Sequence, residues 1–179
     1  MKQLDHAEAC EQDEGETLRM VQMQEVHRLA EREGTVADLT KSTREGYRRL
    51  TGESSIHSGI QQRMSQTESL LRRSVFSLIP DARIGDLSGN TVGVQHDNDR
   101  RVVLDAKLVS HALQTGDSGL LKKVVAHEHE HQLQQTGDAT VNLSPAISAR
   151  VGGMRKLTRL QFRENGAMEA EGGVHENTS

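Results

Sequence analysis

The chain has almost no aromatic side chains with which to fill an interior. Its 179 residues include two Phe, one Tyr and no Trp, so any core has to be assembled from Leu, Val, Ile, Met and Ala. Apolar residues make up 34% of the sequence, enough at this length for one thin core with appendages and too little for two. A core of that kind needs elements whose apolar positions recur regularly. Periodicity and turn chemistry are therefore the signals to follow along the chain.

Residues 1–15 are acidic and aperiodic, and their composition reads as disordered. From Glu16 to about Arg32, Leu18, Val21, Val26 and Leu29 recur at spacings of three to five, the pattern of an amphipathic helix that Gly34 stops. A second short helix fits Val36 to Leu50. The cluster Thr51-Gly52-Glu53-Ser54-Ser55 reads as a linker, which makes residues 16–55 a helical N-terminal segment, a candidate regulatory one, and starts the compact domain at residue 56. That domain is expected to span 56–172, followed by a loose tail at 173–179.

Within it, Ile60, Met64, Leu71, Val75 and Leu78 give a helix from Ser58 that ends before Pro80. Three extended runs, 82–87, 91–95 and 101–105, are separated by Ser88-Gly89-Asn90 and by His96 to Arg100, both rich in turn formers. A short helix at 108–114 follows. Thr115-Gly116-Asp117-Ser118 then caps a helix ending near Gly137, and Ser144-Pro145 opens a last helix to about Glu171, kinked or broken at Gly152-Gly153. The fold class is α+β: mostly helical, with a small antiparallel or mixed three-stranded sheet packed on a backing helix, an active-site helix and a C-terminal glutamate helix.

Net charge is −4 with a pI near 6.1, and Lys and Arg form no stripe, which argues against a nucleic-acid partner or an anionic membrane surface. No apolar run reaches the length of a membrane span and the first residues carry no apolar leader, so a cytoplasmic location is expected. Cys10 is the only cysteine. It permits neither an intrachain disulfide nor a cysteine-built zinc site, and a metal would have to be held by His and carboxylates.

The segment Val124 to Leu133 supplies such groups. On a helix His127 and His131 lie one turn apart on the same face, where both imidazoles reach one cation. Glu128 is offset by one position, beside the ion rather than on it, where a carboxylate takes a proton from a metal-activated water. The alternation His-Glu-His-Glu-His also reads as a metal-binding tract. If the segment is helical, as the apolar stripe Leu120, Leu121, Val124 and Val125 indicates, His129 lies about 200° from its neighbours and is an exposed or supporting residue. Glu130 then either faces solvent or marks the match as fortuitous.

A catalytic zinc takes three protein ligands and keeps one position open. On the last helix Leu157, Leu160, Glu164, Ala167, Met168 and Glu171 share a face, so Glu164 interrupts an apolar stripe and is the candidate third ligand. Glu169 lies off that face, and Glu171 returns to it two turns on. Tyr47, His111 and His175 are candidates for stabilising an oxyanion; Tyr47 fits better as packing between N-terminal helices, and His96 as part of a solvated turn.

These residues resemble the zincin metallopeptidases, with His127, Glu128 and His131 as HExxH between bulky apolar flanks. From about Ser58 the element order is similar to the gluzincin branch, above all to the minimal single-domain minigluzincins, and Glu164-Asn165-Gly166-Ala167 approximates the ExxA pattern of several of those families. The resemblance implies that residues 101–105 form an edge strand that pairs with an extended peptide substrate. A shorter resemblance, carried by Gln134-Gln135 after the motif, is to the metallopeptidase-like core domain of proteins associated with contractile injection systems. The expected function is zinc-dependent hydrolysis of peptide bonds in a peptide or protein substrate, with Glu128 as general base. The competing readings are a non-catalytic zinc-binding or latent protein, whose N-terminal segment and Cys10 cover the site, and a metal-storage tract.

Overall fold

A computed structural model describes residues 2–53 and 56–136. Helix α1 (Lys2–Ala30) is followed by α2 (Asp38–Thr51), α3 (Ser58–Leu71) and a π-helical turn Arg72–Phe76 that prolongs α3. The strands β1 (Arg83–Gly85), β2 (Gly93–Gln95) and β3 (Val102–Asp105) come next, then α4 (Ala106–Thr115) and α5 (Gly119–Thr136). The α+β class expected from the sequence is the one observed. The last helix, its kink and the tail lie outside the described residues.

Helix α1 begins at Lys2, so it includes most of the acidic stretch expected to be disordered. Glu, Gln, Ala, Leu and Met are good helix formers, and nothing between Lys2 and Glu14 breaks the run. At the other end Gly34 N donates to Leu29 O at 2.7 Å and closes the helix with a reversal. A Cβ on Gly34 would lie 2.5 Å from Leu29 Cδ2, which is why the turn needs glycine there.

The sheet order is β1-β3-β2, with β1 parallel and β2 antiparallel to β3. Val102, Val103, Leu104 and Asp105 are all buried, as a strand covered on both faces must be. Asp105 ends the strand and caps α4: its Oδ2 accepts from Lys107 N, and its Oδ1 accepts from Leu87 N beyond β1. The outer edge of β1 is stitched to residues 34–36, where Ile84 N donates to Gly34 O and Val36 N to Ala82 O. β2 has no strand neighbour on its outer side among the described residues.

Two apolar clusters fill the interior. The larger joins Val26, Leu29, Val36 and Leu39 to Leu71, Val75, Ile84, Leu104, Val109, Leu121 and Val125. The smaller joins Leu18, Val21 and Tyr47 to Ile60 and Met64. Both draw on residues from either side of 51–55. The core passes straight across the boundary proposed there. Helices α1 and α2 also share a buried polar contact, in which Ser42 Oγ donates to the Glu25 carboxylate at 2.8 Å.

Leu29 tests this continuity, because it lies in the segment first read as an appendage and is fully buried. Leu29→Ala should cost about 2–5 kcal/mol in a urea titration; a loss near zero would restore the boundary. Tyr47, the only tyrosine, is raised above the usual value of about 10 by burial first, then by the charges of Glu14 and Glu53. The fold therefore favours the neutral phenol. Its stabilising contribution is complete below the unfolded pKa and is lost as pH rises through the folded one. Absorbance at 295 nm should show a single midpoint above about 10, and Tyr47→Phe should flatten the loss of stability beyond it.

Candidate metal centre

Helix α5 is capped by the turn before it, where Asp117 Oδ1 accepts from Gly119 N at 2.8 Å. It packs against α4, the π-helical turn, β2 and β3. Leu121, Val124, Val125, Ala126, Glu128, Glu130 and His131 are all buried, so the helix is enclosed around most of its circumference.

His127 and His131 converge as the helical spacing requires. Their Nε2 atoms are 3.1 Å apart, and the rings meet edge to face with centroids 4.8 Å apart. Two imidazole nitrogens on one tetrahedral zinc, each at about 2.0–2.1 Å, stand about 3.3 Å apart. The pair thus has the separation of two ligands of one ion. The same distance suits a hydrogen bond in which one Nε2–H donates to the other ring. Binding an ion calls on both Nε2 lone pairs and leaves the ring protons on Nδ1.

Glu128 follows His127 on the helix and is only 5% exposed. Its carboxylate packs under the backbone of β2: a Cβ built on Gly93 would lie 3.0 Å from Glu128 Oε1 and 2.7 Å from Val124 Cγ1. Gly93 went unnoticed in the sequence, although a glycine inside a strand is a mark of close approach. Gln132 was missed as well, and Gln135 was noted only as part of the Gln134-Gln135 pair. Gln132 Nε2 donates to Arg100 O at 2.7 Å, and Gln135 Nε2 donates to Gln95 Oε1 and to Asp97 Oδ1.

Three sequence expectations change here. Residues 101–105 do not form an edge: β3 is the central strand, and among the described residues β2 is the edge strand beside α5. Glu130 does not face solvent, being 1% exposed, because α5 is buried on several sides rather than along one stripe; the solvent-facing reading of that position falls, and its departure from the HExxH pattern stands against the match. His96 is half-buried at the end of β2, its backbone N–H bonded to Arg101 O, and so is not part of a fully solvated turn.

His129 is half-buried, and His111 is exposed on α4. Tyr47 belongs to the cluster formed by α1, α2 and α3, as its packing role anticipated. Glu164, Glu169, Glu171 and His175 lie outside the described residues. Among the described residues no group of three or more His, Cys, Asp or Glu side chains converges, and no helix is long and apolar enough to cross a membrane.

Comparison with protein-family models, with curated proteins and with solved structures finds no match. Any functional reading rests on the chain's own residues.

The contact at Gly93 is open to test. Gly93→Ala places a methyl group against Val124 and Glu128 and should destabilise the fold by about 1–3 kcal/mol, read from the urea midpoint. An unchanged midpoint would mean that β2 and α5 are not in this contact.

Proposed function

We propose that the chain is a zinc-dependent metallopeptidase in which His127 and His131 hold the ion, Glu164 is the third protein ligand and Glu128 is the general base. The observation that carries this reading is the 3.1 Å separation of the two Nε2 atoms on one helix face, beside a buried Glu128. When bound, zinc supplies an acidified water and a Lewis-acid contact for a carbonyl oxygen.

The remaining work falls to the protein's own groups. Glu128 takes the proton from the attacking water and returns it to the departing amine. Its place under Gly93 restricts the rotamers open to it. Two neutral imidazoles and one carboxylate leave a bound dication with net positive charge, the condition for acidifying water.

Substrate reaches this pair along β2. The bonds His96 N to Arg101 O and Asp105 N to Val92 O, with the register Val94 to Val103, put the backbone groups of residues 92, 94 and 96 toward β3. By alternation those of Gly93 and Gln95 point away from β3. An extended peptide that pairs with the main chain at Gly93 passes Glu128, a mode of recognition that tolerates many side chains.

The test uses zinc content and cleavage of oxidised insulin B chain by the full-length protein. Glu128→Gln should retain zinc and lose about 10²–10⁴-fold in rate, whereas His127→Ala, His131→Ala and Glu164→Ala should each lose the metal. Wild-type cleavage by Glu128→Gln would sink the mechanism. Zinc retained at full affinity by Glu164→Ala would move the third ligand to Glu169 or Glu171. Zinc binding without cleavage by the wild-type chain would favour the non-catalytic reading. Removing residues 1–55 is not a test of latency, since it also removes Val26, Leu29, Val36 and Leu39 from the core.

A further inference from the structure

Strand β2 has three residues, all half-buried, and the turn beyond it, Asp97 to Arg100, is exposed. So short an edge strand frays unless something beyond its own ladder holds it. The turn also contains a residue in the left-handed region, Arg100 at φ 56°, a conformation that non-glycine residues adopt at a cost.

Helix α5 holds this hairpin at successive points. Val124 and Glu128 lie against Gly93, while Gln135, nearly two turns beyond Glu128, reaches Gln95 Oε1 at 3.1 Å and Asp97 Oδ1 at 2.6 Å. Gln132 reaches over the turn to Arg100 O at 2.7 Å. Glu128, Gln132 and Gln135 follow the i, i+4, i+7 line of a single helix face. The bond to Asp97 is the short, charge-assisted one of the set. Each bond fastens a different part of the hairpin: Gln95 within β2, Asp97 at the start of the turn, Arg100 at its end.

We propose that Gln132 and Gln135 are positioning residues that clip the β2–β3 hairpin to α5, and so hold β2 in fixed register with Glu128 and His131. Neither glutamine touches the reacting atoms. They set where a peptide bound to β2 lies relative to the general base. This consequence rests on the peptidase reading; the clip itself does not.

The experiment uses the full-length, zinc-loaded chain in a Glu128→Gln background, so that peptide binds without being cleaved. Gln135→Ala and the double change Gln132→Ala with Gln135→Ala are compared by hydrogen exchange and by the affinity for oxidised insulin B chain. Exchange over residues 93–101 should accelerate about tenfold or more, with protection of α1 and α2 and zinc affinity unchanged. Peptide affinity should fall about five- to tenfold per glutamine. Gln135→Glu keeps the length of the side chain but sets an acceptor against Asp97, so it should loosen the hairpin more than Gln135→Ala. A role in bulk packing alone would leave it close to wild type.

Unchanged exchange at 93–101 overturns the clip. A loosened hairpin with undiminished peptide affinity overturns the positioning role. A chain that binds no peptide in any form, while its hairpin loosens as described, overturns the peptidase reading and the positioning role with it, and leaves the clip standing.

Discussion

At Gly93 the backbone of β2 lies against Val124 and Glu128 of α5 with no room for a Cβ between them. The geometry of the candidate site follows from this contact. It sets β2 beside the carboxylate and lines the strand up with the helix that bears His127 and His131. The contact is in turn held by the core. β2 is paired to β3, whose residues are all buried, and β3 is paired to β1, which is stitched to residues 34–36. Placement of Glu128 thus depends on packing that begins in the first helix.

The parts of the fold governed by local chemistry were legible in the sequence. Apolar spacing located α3, α5 and the C-terminal part of α1, and Asp, Gly and Ser clusters separated the three strands. Strand order was not legible, because runs of three or four residues carry too little pattern to set register or direction. The union of the two halves of the chain was hidden for a related reason. The stripe of α1 is divided, with Leu18 and Val21 serving one cluster and Val26 and Leu29 the other, and periodicity does not say what a face will meet.

The same division runs through the site. The pairing of His127 with His131 is a property of one helical turn and was readable directly. The burial of Glu130 and the roles of Gly93, Gln132 and Gln135 depend on where a hairpin and other elements come to rest against α5. Those are tertiary facts. Glu128 and Glu130, two positions apart on α5, are both buried.

The most direct test of the central claim is X-ray absorption at the zinc edge on the full-length protein loaded with one equivalent of zinc. The account predicts a four-coordinate, sulfur-free site with imidazole scattering from two histidines and nitrogen or oxygen neighbours at about 2.0–2.1 Å. His127→Ala and His131→Ala should each abolish that spectrum. A sulfur neighbour at about 2.3 Å, or a spectrum unchanged by either substitution, would contradict the site.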